Sequence, residues 1–486
     1  MTNDVCITAA SLSARSGLDV IGMRAELVAT NVANATTPGY VRRSLTVSET
    51  ILGNQTAGVQ VISIDRSQNE ILTAERRSLS SDFAQADILS SRWGSLSQRI
   101  GNDIDSSALF QNLNALQASI DDAVLSPEST THANTVVQSG NDLVREFNAL
   151  SDLITQERWQ AERDIQEGVE IVNRSLLQIE QLNKQIAGID RTSAQSAALN
   201  DERARLVDQV AEYLPIQTSE GQSGTIDILT TEGVFLLAGT VREVEFNQAN
   251  VIGPNITLGN GLLSGISVDG TDITPGATSF GAVSSGKFGA LFTLRDSDLP
   301  TLEGQLDIMA QDLIDRFSDP AIDPTLTLGD PGLFLDTDPA GGDGVAGRLQ
   351  LNALVDPDRG GAVWRLRDGL GAVAPGPPGD NTILTNLSGA FDTVSNINVN
   401  GLQGGFAYSD LVAQLGSLSG QQRVQNESVL SSISLQYQTI QEAEAAETGV
   451  DIETEMQDLL IIEQAYAANA RVIQAASQML TELMEI

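Results

Sequence analysis

Residues 7–40 read ITAASLSARSGLDVIGMRAELVATNVANATTPGY, and this stretch holds the first of two matching helical patterns that decide the fold. Its apolar and small residues recur at alternating spacings of four and three, which lines them along one face of a helix. The positions are Ile7, Ser11, Ala14, Leu18, Ile21, Ala25, Val28 and Val32. The pattern stops at Pro38 and Gly39, because proline disfavours a helical residue before it and glycine permits a turn.

A second pattern of the same kind closes the chain. Heptad positions a and d between 452 and 483 are apolar except at Asn469. They are Ile452, Leu459, Ile462, Tyr466, Asn469, Ile473, Ala476, Leu480 and Leu483. Isolated amphipathic helices of this length are marginal in water. We therefore expect residues 1–45 and 450–486 to form a terminal coiled-coil domain, pairing with each other or with neighbouring subunits.

Long apolar stripes between the two ends predict further helices. They cover about 71–100, 107–125, 130–157, 158–190, 199–214 and 408–447. Another helix restarts near residue 298, with Asp298 as a candidate N-cap and Pro300 in the first turn. We expect these helices to pack side by side as a body built from residues 46–215, 286–318 and 400–449.

Two segments break the helical pattern. From Ile216 onward short apolar runs alternate with turn-forming glycines, which predicts an inserted β-hairpin region over 216–285. Residues 319–399 are rich in Pro, Gly and Asp, which predicts an irregular surface excursion. The predicted fold is mainly α with an inserted β region: a terminal coiled coil, a body of long bundled helices, and a small β or irregular projection.

Composition limits the possible functions. The 486 residues carry a formal charge of −37, which opposes binding to nucleic acid or to anionic lipid. A single cysteine, Cys6, and a single histidine, His132, leave no intrachain disulfide and no zinc cluster. We find no basic-then-apolar secretory leader and no apolar run long enough to cross a bilayer.

The sequence nominates no catalytic, cofactor-binding or metal-binding residues. The acidic, glycine-containing turn at 336–344 is oxygen-rich like a calcium loop, but its spacing does not match an EF-hand. Paired carboxylates are too common in so acidic a chain to indicate catalysis, and no nucleotide-binding or hydrolase motif is present. We therefore expect neither a cofactor nor enzymatic activity.

Several segments resemble the axial proteins of the bacterial flagellum. Residues 31–40, NVANATTPGY, resemble a signature shared by flagellar rod, hook and hook-associated proteins, and residues 448–486 are similar to the matching C-terminal end. Residues 199–210 and 287–296 resemble the hook-associated members. The resemblance implies a structural subunit that polymerises at the hook–filament junction and connects hook to filament. A rod or hook protein is the near alternative, and a secreted adhesin or binding module is the alternative from another class.

The resemblance also implies partners and a location. The partners are further copies of the chain in a ring or tube, the hook protein, and second junction or filament proteins. An export chaperone on the C-terminal helix and the flagellar type III export apparatus would carry the chain out of the cell without a cleaved signal peptide. No nucleic acid partner and no membrane insertion are expected.

We expect the assembly contacts to come from the two seams and from the turn after the first one. Asn31 and Asn34 can bond backbone groups at the helix end, and Tyr40 can anchor the turn. The candidate residues are Leu18, Ile21, Val28, Asn31, Asn34, Pro38, Gly39, Tyr40, Leu459, Ile462, Tyr466, Asn469, Ile473, Leu480 and Leu483. Because the seams lack partners within a monomer, we expect both ends to fold only on assembly.

Overall fold

Helices form most of the computed structural model, which describes the chain apart from residues 1, 38, 53–54, 102–106, 190–192, 339–340, 400 and 485–486. The helices are α1 (Thr2–Asn34), α2 (Glu70–Ile100), α3 (Ala108–Leu125), α4 (Thr130–Gly188), α5 (Ala194–Tyr213), α6 (Gly286–Thr293), α7 (Leu299–Ser318), α8 (Val345–Arg348), α9 (Arg365–Asp368), α10 (Thr382–Ala390), α11 (Tyr408–Thr448) and α12 (Ile452–Met484). The predicted class, mainly α with an inserted β region, is confirmed.

The strands form small antiparallel sheets. They are β1 (Arg43–Leu52), β2 (Gln55–Arg66), β3 (Ile216–Glu220), β4 (Ile226–Thr230), β5 (Phe235–Ala238), β6 (Thr240–Val241), β7 (Val244–Phe246), β8 (Ile266–Val268), β9 (Thr271–Asp272), β10 (Phe334–Asp336), β11 (Leu349–Leu351), β12 (Ser395–Val399) and β13 (Leu402–Phe406). Strands β3–β6 form one sheet and β7–β9 another, while β1–β2, β10–β11 and β12–β13 are separate pairs.

The two ends of the chain form one module within the single chain, so their seams have partners there and differ from the expectation that both ends fold only on assembly. Helix α1 packs along α12, and the hairpin β1–β2 covers another face of α1. Its small core contains the buried Val20 and Leu27 of α1 and Leu45 of β1. The sequence analysis did not predict this hairpin, although the alternation of Val59 and Val61 in β2 is typical of a strand.

The larger core of the body lies between α2, α3, α4, α7 and α11. Residues 319–399 also contribute to it, with buried side chains that include Phe334, Leu349 and Phe391. The segment therefore differs from the predicted surface excursion. Its backbone is irregular, but Phe334 and Phe391 pack edge-on against Phe317 of α7, so its apolar residues are buried with those of the helices.

A second core joins the inserted β region to the body. Apolar residues of α4, α5 and α6 pack against strands β3–β5, β7 and β8. The aromatic rings of Tyr213 and Phe288 lie 5.4 Å apart within it. The inserted sheets are thus held against the end of the helical bundle by a shared apolar core.

Helix α4 is one element of 59 residues, where the sequence predicts two helices that meet near residue 158. Arg158 interrupts the apolar stripe but is 2% exposed, and its guanidinium donates to the backbone carbonyls of Arg295, Gly253 and Ile256. Because these carbonyls accept hydrogen bonds from the buried guanidinium, the helix continues past Arg158 with the same side facing the core.

The predicted N-cap at Asp298 is also wrong. Helices α6 and α7 run into each other through a π-helical turn at Leu294–Asp298, so no helix starts there. The Asp298 carboxylate instead accepts a 2.8 Å hydrogen bond from Nε1 of Trp93, and burial raises the pKa of this carboxyl group. Pro300 does lie in the first turn of α7.

Candidate functional site

The predicted C-terminal seam meets α1 along only part of its length. Ile462 and Ala476 are buried, Ile473 and Leu480 are half-buried, and all lie on one side of α12. Asn469 occupies the middle of this face, where a Cβ added to Gly17 would lie 3.3 Å from its side-chain oxygen. A glycine on α1 therefore lets the polar Asn469 approach the facing helix closely.

Other predicted seam residues are distributed more widely. On α1, Val28 is buried, whereas Leu18 and Ile21 are half-buried. On α12, Leu459 is 39% and Tyr466 is 56% exposed, so α1 leaves much of both side chains uncovered. Pro38 lies outside the described residues, as does the side chain of Leu483, whose backbone belongs to α12.

A polar cluster joins the two helices where α1 ends and α12 begins. We call Asn31, Tyr40, Arg42, Arg43 and Glu455 the terminal hub. The Asn31 side chain, 1% exposed, donates to the Arg43 carbonyl at 2.9 Å and to Glu455 Oε2 at 3.1 Å. Its oxygen accepts from the Arg43 amide at 3.1 Å and from the Tyr40 hydroxyl at 2.7 Å. The amide thus satisfies buried neighbours from two other chain segments.

Glu455 brings a fully buried carboxylate into the terminal hub. Its Oε1 accepts a 2.6 Å hydrogen bond from Nε of Arg42, and the same guanidinium reaches Asp458 at 3.1 Å. The Arg42 backbone amide donates to the Thr448 carbonyl at the end of α11. A buried charge is tolerated when it is paired and hydrogen-bonded, as Glu455 is.

Arginine side chains extend the contacts from the terminal hub to the body. Arg43 contacts Asp201 of α5 at 2.7 Å, and Arg66 at the end of β2 contacts the other oxygen of the same carboxylate, also at 2.7 Å. The Arg43 guanidinium also lies 4.8 Å from the Tyr40 ring centroid. Burial raises the pKa of the Tyr40 hydroxyl, although Arg43 opposes the shift, so the phenol remains a proton donor to Asn31.

The remaining residues of the predicted turn contact neighbours that are close in sequence. Asn34 donates to the Thr30 carbonyl one turn back and accepts weakly from the Thr37 hydroxyl at 3.3 Å. Gly39 has a φ of +79°, a conformation that glycine adopts without strain. Asn34 and Gly39 therefore shape the helix exit, whereas Asn31 and Tyr40 make the contacts within the terminal hub.

The described residues give no geometry for a metal site or a membrane span. Within the described ranges, no group of three or more Asp, Glu, His or Cys side chains is arranged to hold a metal ion. In the acidic turn, the Asp336 carboxylate is paired with Arg348. Among the helices as described, none has the length and apolarity needed to cross a bilayer.

Two family models match the chain. Residues 96–320 match the helical domain of the flagellar hook-associated protein FlgK, and residues 446–486 match the C-terminal domain of the flagellar basal body rod proteins FlgEFG. The flagellar hook-associated protein 1 of Bacillus subtilis is 24% identical over 97% of this chain and 97% of its own length. The chain is thus similar to flagellar hook-associated protein 1 over nearly its whole length.

Other proteins to which the chain is similar are equally distant in sequence. The Escherichia coli protein is 22% identical over 98% of this chain and 99% of its own length. A solved structure, the flagellar hook junction protein FlgK of Burkholderia pseudomallei, is 15% identical over 54% of this chain and 46% of that one, with a TM-score of 0.44. The family is a structural one, and the chain is a flagellar component.

The terminal hub and its contacts contain residues that the sequence does not single out. Arg42 and Arg43 were not selected, and Asp201 and Glu455 are among the paired carboxylates that are too common in this chain to indicate a site. A usable signal was present, since Arg42 and Arg43 directly follow the turn in a chain with only 27 basic residues. Because basic residues are scarce in this chain, two adjacent arginines directly after the turn indicate that carboxylates from other segments pair with them.

Proposed function

We propose that this chain is a structural subunit of the flagellum that polymerises at the hook–filament junction through its paired terminal helices. The observation that carries the proposal is the apolar outer surface of α12. Its exposed apolar residues are Ile452, Met456, Leu459, Leu460, Ile461, Tyr466, Val472 and Met479. Exposed apolar surface of this extent on one helix is typical of a protein–protein interface.

The charge distribution supports self-association through this helix. Copies of a chain with a net charge of −37 repel each other, so a close contact between them requires a segment with little charge. Residues 464–481 contain one charged side chain, Arg471, and six alanines. Small neutral residues let identical helices approach closely without bringing like charges together.

Assembly would complete the predicted seam. Leu459 and Tyr466 are exposed in the single chain, and a neighbouring subunit would cover them. Before assembly the same residues offer a groove-binding face to an export chaperone, in the way that amphipathic helices bind apolar grooves. Export through the flagellar type III apparatus, and a final location outside the cell next to hook and filament proteins, complete the proposal.

Two adjacent isoleucines allow a direct test. Ile461 is 61% exposed on the outer face of α12, and Ile462 is buried against α1. We expect Ile461→Asp to abolish polymerisation and motility while the monomer unfolds as the wild type does. Electron microscopy of the cells should then show hooks without filaments. Gln457→Asp adds a charge at another exposed position of α12 and serves as the control.

The half-buried Ile473 gives a second variant. We expect Ile473→Asp to abolish assembly and leave the thermal transition of the body nearly unchanged, because Ile473 belongs to neither body core. Filaments that form normally with Ile461→Asp, or with residues 453–486 removed, would overturn the proposal.

A further inference from the structure

The terminal module and the body have separate apolar cores. Val20, Leu27 and Leu45, with the packed residues Val59, Val61 and Ile64, make the core of the module, and the described residues of the two body cores include none of them. Apolar packing is nondirectional and is proportional to the area buried. The direction in which the module leaves the body must therefore be set chiefly by the polar contacts between them.

The ion pairs of Asp201 are prominent among these contacts. Its two carboxylate oxygens each lie 2.7 Å from a guanidinium nitrogen, one of Arg43 and one of Arg66. These arginines are at the base of the hairpin, where β1 begins and β2 ends, and all three side chains are less than a fifth exposed. Pairs shielded from water in this way are stronger and more directional than surface pairs.

The helix that carries Asp201 is itself fixed to the body by the same chemistry. Asp208, two turns further along α5, pairs with Arg76 and Arg77 of α2 at 2.8 and 2.7 Å. Arg76 also pairs with Glu444 of α11. Helices α2 and α11 connect directly to the terminal module, and α5 is paired with α2, which is in turn paired with α11. The carboxylate of Asp201 therefore belongs to a helix that is fixed beside the first of these connections.

Removing the charge of Asp201 would leave an excess of positive charge. Arg203, two residues away, donates to Asn183, Asn200 and the Gly224 carbonyl. Burial, assisted by the nearby Arg66 and Arg77, lowers the pKa of Arg203 to about 10. Without the Asp201 carboxylate, Arg66 would lose its counter-charge while its repulsion of the Arg203 guanidinium remained.

We infer that Asp201 is a positioning residue, which clamps the hairpin base to α5 and thereby fixes the direction in which the α1–α12 pair leaves the helical body. The inference does not rest on the proposed function, because it concerns the shape of a single chain. Neutralising Asp201 should free the direction of the pair while leaving the fold of both parts intact.

A distance measurement on the full-length monomer tests this. Spin labels would be placed at the exposed Gln474 of α12 and the exposed Gln185 of α4, with the native Cys6 replaced by serine. Gln474 lies 19 residues beyond the hub, a lever arm of roughly 28 Å that converts small changes of direction into measurable distances. We expect a single narrow distance in the parent chain, and a distribution at least about twofold wider in Asp201→Asn, because its directional ion pairs are lost.

The neighbouring Glu202→Gln is the matched control, since Glu202 loses the same charge but pairs only with Arg205 on the exposed side of α5. Its distribution should match that of the parent chain. Arg66→Gln breaks the same clamp from the hairpin side and should widen the distribution, which keeps the test decisive if Asp201→Asn does not fold. Unchanged distributions in the folded clamp variants, or equal widening in Glu202→Gln, would overturn the inference.

Discussion

The side-chain nitrogen of Asn31 donates a 3.1 Å hydrogen bond to Oε2 of Glu455, a residue 424 positions away in the chain. The contact joins the last turn of α1 to the first turn of α12. Both side chains are at most 1% exposed, so neither can exchange this partner for water. The two ends of the chain therefore meet through a buried polar contact at one end of the seam between α1 and α12.

Replacing Asn31 by alanine should loosen both terminal helices at this end. The change leaves the Arg43 backbone groups and one oxygen of Glu455 buried without their partner, at a cost of about 2–3 kcal/mol. Amide hydrogen exchange at the end of α1 and the start of α12 should accelerate by roughly 30-fold or more. Asn34→Ala, on the same helix, removes only local hydrogen bonds and should change exchange little. Equal acceleration in the two variants would contradict the role of Asn31.

Glu303 should make the stability of the body depend on pH. It is buried in α7, where it accepts a 2.5 Å hydrogen bond from Ser151, and burial raises the pKa of its carboxyl group to about 7 from 4.5. The folded state therefore holds the proton more tightly than the unfolded state. The contribution of the protonated Glu303 carboxyl group to the free energy of unfolding is fully present below pH 4.5. It is lost as the pH rises to about 7, a change on the order of 3 kcal/mol.

Urea unfolding of Glu303→Gln across this pH range measures the effect. The amide oxygen can still accept from Ser151, but the buried charge is absent, so the variant should exceed the parent chain in stability at pH 8. At pH 5 the two should be nearly equal. For the exposed Glu202→Gln, the difference in stability from the parent chain should not change between pH 5 and pH 8. A constant difference between Glu303→Gln and the parent at all pH values would exclude titration of Glu303 as the cause.

Gly58 should be required for the hairpin to rest on α1. Its φ is +118°, and an added Cβ would lie 2.0 Å from Oγ of Ser16 and 3.2 Å from the backbone of Ser13. Gly58→Ala should therefore destabilise the contact between hairpin and helix by about 1–3 kcal/mol. Limited proteolysis within residues 43–66 should become faster.

Gly22 of α1 is the opposite case, because an added side chain there meets no neighbour. It is exposed within α1, and nothing lies within 4 Å of an added Cβ. Gly22→Ala should strengthen α1 by roughly 0.5–1 kcal/mol, because alanine loses less backbone entropy than glycine in a helix. Slower proteolysis in Gly58→Ala than in Gly22→Ala would refute the proposed contact.

Periodicity in the sequence was sufficient to predict the long helices, because each has an apolar stripe that repeats over several turns. It failed where a polar residue is buried in such a stripe. In the sequence, Arg158 resembles a helix boundary, because the carbonyls that accept from its buried guanidinium belong to residues about 100 positions away. Residues 319–399 gave no periodic signal, since their apolar side chains reach the core from turns and short elements.

The terminal hub could be predicted only in part. Asn31 and Tyr40 were selected from the end of α1 and the turn that follows it, and their contacts with each other and with Arg43 are local in sequence. Glu455 and Asp201 were not selected, because a carboxylate in a chain with 64 acidic residues gains meaning only from the arginine that faces it. Such pairings depend on long-range topology, which spacing along the chain does not encode.

The Ser67 hydroxyl, directly after the hairpin β1–β2, donates to the Glu447 carbonyl near the end of α11, which places the exit from the terminal module beside the return to it. In topological terms, residues 67–447 are one long insertion between the two helical arms of that module. An insertion whose ends are adjacent can grow, shrink or be exchanged without moving the arms. The body is thus free to diversify in size, while the paired arms keep the dimensions that a shared lattice demands.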